Sequence, residues 1–189
     1  GRVAQWLHWL MALAIIAMFG SGLWIEELNY YDKLYQTIPH IHESIGIILV
    51  GVLVFRLIWR MTNVEPDTSD LKAWERLAAH GVHWGFYALI AAILISGYLI
   101  STADGRLIAV FNWFDVPAIW QAKHQEDIAG DVHEILANGV IALAVLHTLA
   151  ALKHHYIDGG GSLRRMLPPP RKSQHNPQID PQENSKEET

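Results

Sequence analysis

His133-Glu134-Ile135-Leu136-Ala137-Asn138-Gly139-Val140-Ile141-Ala142-Leu143-Ala144-Val145-Leu146-His147 is the stretch whose reading decides the fold. From Ile135 to Leu152 there is no acid, lysine or arginine. An uncharged apolar run of about 18 residues matches the hydrocarbon thickness of a bilayer, so the segment reads as a membrane-spanning helix. The two histidines are 14 residues apart. On a helix that is about 21 Å of rise and roughly 40° short of four full turns. Both imidazoles therefore leave nearly one face of the helix, one toward each surface of the bilayer.

Working outward, Leu7 to Ile25 and Leu77 to Ala103 are equally free of charge, and a shorter run between Glu43 and Arg56 becomes long enough when Ile41 to Trp59 all count. These runs predict four helices, over Ala4–Glu26, His42–Met61, Trp74–Ser101 and Asp131–His155. Helices are required because backbone groups in lipid must be satisfied within the segment, and no period-2 alternation points to a barrel. Pro39 falls just before the second helix, and Pro66 and Pro117 fall in connections. The expected fold is all-α: an integral membrane four-helix bundle over residues 1–167, with a disordered polar tail over 168–189. The chain opens Gly1-Arg2 without Met, which suggests a trimmed or partial N-terminus. Its first apolar run is too long for a secretory signal and reads as the first span.

Composition excludes several classes. Apolar residues make up 51% and charged residues 17%, strongly segregated along the chain. Cysteine is absent, which rules out disulfides, thiolate-held iron–sulfur clusters and covalent c-type haem. The net charge is −5 with no basic stripe, so nucleic acid is not an expected partner. With the N-terminus inside, inner segments hold Arg2, Arg56, Arg60, Lys72, Arg76, Lys153, Arg164, Arg165, Arg171, Lys172 and Lys186, against Lys33, Arg106 and Lys123 outside. Eleven against three puts both termini in the cytoplasm by the positive-inside rule.

Eleven histidines in so apolar a chain require a purpose, since ionisable residues within membrane helices are costly. Helix direction sorts their depths. His42 begins the second helix at the outer level of His133. At the inner level of His147, His8 on the first helix competes with His80 and His83 on the third, and depth alone leaves the three open. His40 and His124 read as loop residues. Zinc or copper sites cluster ligands within a turn or two, whereas these are two separate pairs, which suits two bis-imidazole haems. Arg56, 14 residues after His42, faces inward near the inner level and is a candidate partner for a haem propionate; the alternative is an ordinary boundary arginine. Gly46, Ala137 and Gly139 follow the outer histidines closely, as small residues that admit a flat macrocycle or, equally, close helix packing.

Several blocks now resemble a known family. His8-Trp9-Leu10, Ile41-His42-Glu43-Ser44-Ile45-Gly46, Leu77-Ala78-Ala79-His80-Gly81-Val82-His83, His133 through Asn138, and His147 through Lys153-His154-His155-Tyr156 to Leu163-Arg164-Arg165-Met166 occur in order. The chain resembles bacterial cytochrome b561, related to the cytochrome b subunits of nickel hydrogenases and formate dehydrogenases. The resemblance implies two non-covalent b haems and quinone-linked electron transfer in the bacterial inner membrane, with ubiquinone the expected substrate. It assigns His8 and His147 to the inner haem iron and His42 and His133 to the outer one. His80 and His83 then lie beside the ligands or on a pathway. By the same resemblance His154, His155 and Lys153 are candidates for a quinone site, since imidazole hydrogen-bonds a quinone carbonyl and relays its proton.

Three functions compete. The first is an oxidoreductase carrying electrons between a periplasmic-side donor or acceptor and the quinone pool. The second, an activity associated with some family members, is a superoxide oxidase reducing ubiquinone. Against it, the expected outer segments hold Glu26, Glu27, Asp32, Asp104, Asp115, Glu126, Asp127 and Asp131 against three bases, which repels an anion. The third is a haem-bearing anchor for a periplasmic redox partner, for which the aromatic segment between Ser101 and Asp131 is either a docking surface or, the preferred reading, simply a cap on the outer haem. A haem-free transporter lacks the paired helix interruptions such proteins show.

Overall fold

The computed structural model describes residues 2–63 and 72–159. In chain order they form α1 (Arg2–Glu27), α2 (Thr37–Thr62), α3 (Ala73–Ser101), β1 (Ile108–Val110), β2 (Phe114–Val116) and α4 (Gln125–Tyr156). Pro66 and the tail expected from residue 168 lie outside the described residues. All four helices are long and apolar enough to cross a membrane. Their outward surfaces carry exposed Leu10, Leu13, Val54, Ile58, Leu146 and Leu149. In water that much bare hydrocarbon would drive further association, whereas in lipid it is simply the solvent-facing side. The chain is a multi-pass membrane protein.

Two helix starts differ from the sequence expectation. α2 begins at Thr37, so Pro39 lies inside its first turn rather than ahead of it, and His40 is helical rather than in a loop. First-turn N–H groups have no intrahelical acceptor, so a proline there removes nothing. α4 begins at Gln125, ahead of the expected Asp131. The charges that ended the apolar run are compatible with helix, because Glu126 and Asp127 in the first turn complement its dipole. Gln125 is buried and fastens the junction: its Nε2 donates to the Leu99 carbonyl at 2.9 Å, and its Oε1 accepts from the Ala122 N–H at 2.9 Å.

α1 packs on α2, α2 on α3, and α3 most extensively on α4. One residue of each helix meets at the centre: Met11, Leu53, Ile90 and Val140, all buried. Val140 stands seven residues from both His133 and His147, so this apolar layer lies midway between the two histidine levels. One end of the bundle carries the start of α1 and the end of α4, and is called the terminal end below; the other carries the β hairpin.

The hairpin was not foreseen in the sequence. β1 and β2 pair antiparallel, with Val110 opposite Phe114, and the Trp113 N–H donates to the Val110 carbonyl at 2.8 Å. The intervening Phe111 and Asn112 have φ of 47° and 58°, the positive pair that a type I′ turn demands. Asparagine tolerates that conformation; phenylalanine rarely does. Phe111 is held by its N–H, which donates at 3.0 Å to the Ser44 hydroxyl on α2, and by its ring against His40 at 6.4 Å. Ser44 is fully buried, so nothing else compensates its loss. Ser44→Ala is expected to strand the Phe111 N–H at a cost of about 1–3 kcal/mol. Faster hydrogen exchange at the Phe111 amide, with the helical amides unchanged, is the measurement that checks it.

Candidate functional site

At the hairpin end, His133 of α4 faces His42 of α2 with ring centroids 6.3 Å apart. At the terminal end, His147 of α4 faces His8 of α1, also at 6.3 Å. Both pairs stand close enough for one group to be held between their rings. α4 supplies one ring to each because of its 14-residue interval, and the antiparallel neighbours bring the other two to matching depths.

The hairpin-end rings have defined tautomers. The Ser21 hydroxyl donates to the Met18 carbonyl at 2.9 Å, and its oxygen lies 2.8 Å from His42 Nδ1. With its one proton committed, that oxygen accepts from Nδ1–H. His133 Nδ1 lies 3.1 Å from the Ile93 carbonyl, which can only accept, so this Nδ1 also carries its proton. Ser96 stands 3.0 Å from the same nitrogen and itself donates to Ile93 at 2.9 Å. Both rings thus keep the Nε2 lone pair for a metal, the arrangement in which an oriented imidazole ligates. Gly97 gives His133 its room: a Cβ there would stand 3.1 Å from His133 Cε1. No such clearance is at stake at Gly139, where a Cβ would meet nothing within 4 Å.

At the terminal end the structure sets His80 apart from the other two competing histidines. His80 turns its Nδ1 to the Arg76 carbonyl of its own helix at 3.1 Å. His83 also reaches His147, with ring centroids 5.6 Å apart, and lies within electrostatic reach of His8 as well. Phe86 contacts the His147 ring from α3. Arg56 donates from Nε to the Tyr87 hydroxyl at 3.2 Å and lies within electrostatic reach of His8 and His83. Arg60 lies over the Trp84 and Tyr87 rings, each at 5.9 Å. The two arginines thus form a cationic edge beside the His8–His147 level.

Beyond α4, Asp158 joins Lys153 and His154, which the sequence reading grouped at this helix end. Its Oδ2 accepts from Lys153 Nζ at 2.7 Å and lies 3.6 Å from His154 Nδ1. That hydrogen bond holds the Asp158 carboxyl below its ordinary range. The clamp it forms is therefore complete above the usual carboxylate pKa and is lost as pH falls through the lowered one. His154 is mostly buried, and its Nε2 is shut from solvent without a hydrogen-bond partner among the described residues. His155 packs its ring edge-on to Tyr156 at 4.8 Å.

The donor chemistry fits haem. Each pair offers two neutral imidazoles and no carboxylate, and among the described residues no three His, Cys, Asp or Glu side chains gather to hold a bare metal ion. Two axial ligands are what a porphyrin-bound iron requires. Ser21, Ser96, Gly97 and Asp158 were missed in the sequence. The serines left one trace: a hydroxyl inside an uncharged span needs a local acceptor, and its oxygen is then free to receive.

A family profile described as prokaryotic cytochrome b561 matches residues 1–169. The chain belongs to that family. It is 47% identical over 171 residues to cytochrome b561 homolog 2 of Escherichia coli K12, covering 88% of this chain and 90% of the relative. It is 30% identical over 165 residues to a probable superoxide oxidase, CybB, of Yersinia pestis, covering 86% and 92%. Cytochrome b561 homolog 1 of E. coli K12 is 25% identical over 167 residues, covering 86% and 93%. Family membership makes this chain a membrane cytochrome and haem b its cofactor. Gly97→Ala is expected to push His133 off its position and weaken haem binding by about tenfold. A fall in haem per polypeptide, measured as the pyridine haemochromogen, checks this.

Proposed function

We propose that this cytochrome holds two haem b groups, one between His8 and His147 and one between His42 and His133, and passes electrons between a periplasmic-side redox partner and ubiquinone in the bacterial inner membrane. The observation that carries it is the equal 6.3 Å separation of two imidazole pairs stacked along α4. The excess of inner Lys and Arg supports placing both termini in the cytoplasm and the hairpin in the periplasm. A partner there would meet the hairpin side, where Trp113 and Trp120 are exposed.

Bound haem b supplies one-electron chemistry that the side chains lack. His8, His42, His133 and His147 orient it and complete its coordination. Arg56 and Arg60 place positive charge where the propionates of the inner haem would need it. The quinone site is at the inner end of α4. A buried nitrogen without a partner is costly, and a quinol hydroxyl donating to His154 Nε2 would satisfy it. Quinol oxidation releases two electrons, which bound haem would accept singly, and two protons. His154 takes one proton at Nε2, with Asp158 at its other nitrogen steadying the resulting charge, and the second proton leaves to water at the membrane surface. Lys153, already bound to that carboxylate, holds it in place, and His155 lies at the same helix end.

Superoxide oxidation is the second reading, favoured by the name of the Yersinia relative. The outer charges argue against it. Arg106, a cation on the hairpin side, is engaged by Glu43 at 3.1 Å and stands 3.8 Å from Asp104, so its field is largely cancelled. Stopped-flow mixing with superoxide is expected to give no rapid haem reduction; a fast, quinone-coupled phase would reverse the ranking.

A panel of alanine variants tests the haem assignment. The wild type is expected to titrate optically as two haems. His42→Ala or His133→Ala removes one, His8→Ala or His147→Ala removes the other, and His83→Ala keeps both. Loss of a haem in His83→Ala would overturn the pairing. His154→Ala is expected to slow haem reduction by ubiquinol roughly 100-fold while both haems stay bound. Unchanged stopped-flow rates would remove the quinone from this end of α4.

A further inference from the structure

We propose that Ser21 and Ser96 are positioning residues that lower the reduction potential of the hairpin-end haem, through the Nδ1 atoms of its two ligands. This rests on the two-haem reading above. The same device occurs twice, on different helices. Ser21 of α1 serves His42 of α2, and Ser96 of α3 serves His133 of α4. Each serine sends its proton to the carbonyl three residues earlier in its own helix, Met18 or Ile93, and turns its oxygen to the histidine. A serine that only satisfied itself within its helix would need the first bond and not the second.

The consequence is electronic. An imidazole that donates Nδ1–H to oxygen gains electron density at Nε2 and becomes a stronger ligand for the more positive metal. The ferric form gains most, so the potential falls. At the terminal end the setting differs: among the described residues, His8 contacts the Trp9 ring and His147 contacts the His83 and Phe86 rings. Two ligand hydrogen bonds at one level against ring packing at the other make the hairpin end the more reducing site. An electron arriving there is driven toward the His8–His147 level.

The two serines are not equivalent, and this sharpens the test. His133 keeps the Ile93 carbonyl at 3.1 Å when Ser96 is removed, whereas Ser21 is the partner that orders His42 Nδ1. Ser21→Ala, Ser96→Ala and Ser21→Thr are compared by optical redox titration and by electron paramagnetic resonance of the ferric protein. His42→Ala identifies the hairpin-end couple by deleting it. Ser21→Ala is expected to favour reduction of that couple about tenfold, which is about 59 mV for one electron, with an altered ferric signal and the other couple unmoved. Ser96→Ala gives a smaller shift in the same direction, and Ser21→Thr retains the wild-type potential. If Ser21→Ala fails to hold the haem, the sign of the Ser96→Ala shift decides. Unmoved potentials in alanine variants that bind both haems overturn the proposal. A wild-type protein that titrates as a single haem overturns the two-haem reading beneath it.

Discussion

An imidazole that binds a metal must offer one nitrogen and have the other satisfied, and within lipid no water is at hand to do it. This constraint organises the bundle. α4 presents two such rings on nearly one face, so α1 and α2 must each bring a partner to the correct depth. α3 contributes neither ring of the two matched pairs, yet it makes the most extensive packing with α4. Its role at the hairpin end is visible in Ile93, Ser96 and Gly97, which receive the back of His133 and leave room for it.

The spans were legible in the sequence because uncharged length is a direct consequence of bilayer thickness. Their ends were less so, since the signals that close an apolar run do not close a helix. Pro39 sits harmlessly in a first turn, and Glu126 and Asp127 are favourable there. The hairpin escaped for a related reason: three-residue strands carry almost no periodicity, and its turn places a phenylalanine where glycine or asparagine is usual. The His133–His147 interval and its depth partners followed from helix rise and direction. Choosing among His8, His80 and His83 depended on rotation about the helix axes, which depth does not encode; there the resemblance carried weight that arithmetic did not. Ser21 and Ser96 were invisible because a serine in a membrane helix is ordinary until its neighbour across the interface is known.

The two ends of the molecule are built on different chemistry. The hairpin end has its polar groups met: Ser44 pins the turn, Gln125 closes the α3–α4 junction, and Arg106 is committed to carboxylates. The terminal end is cationic and aromatic, with Arg56 and Arg60 against Tyr87 and an unsatisfied nitrogen on His154.

The layer of Met11, Leu53, Ile90 and Val140 separates these ends with apolar side chains. No side chain in it can carry a proton, whereas an electron can tunnel past it. Charge moving between the histidine levels would therefore travel about 21 Å along the membrane normal without a compensating proton, roughly two thirds of a hydrocarbon core of about 30 Å. A membrane potential of 100 mV acts on one charge crossing the whole bilayer with about 2.3 kcal/mol, so each transfer across this layer would feel about 1.5 kcal/mol of it. On the two-haem reading, the polarisation of the membrane itself would then help to set which end holds the electron.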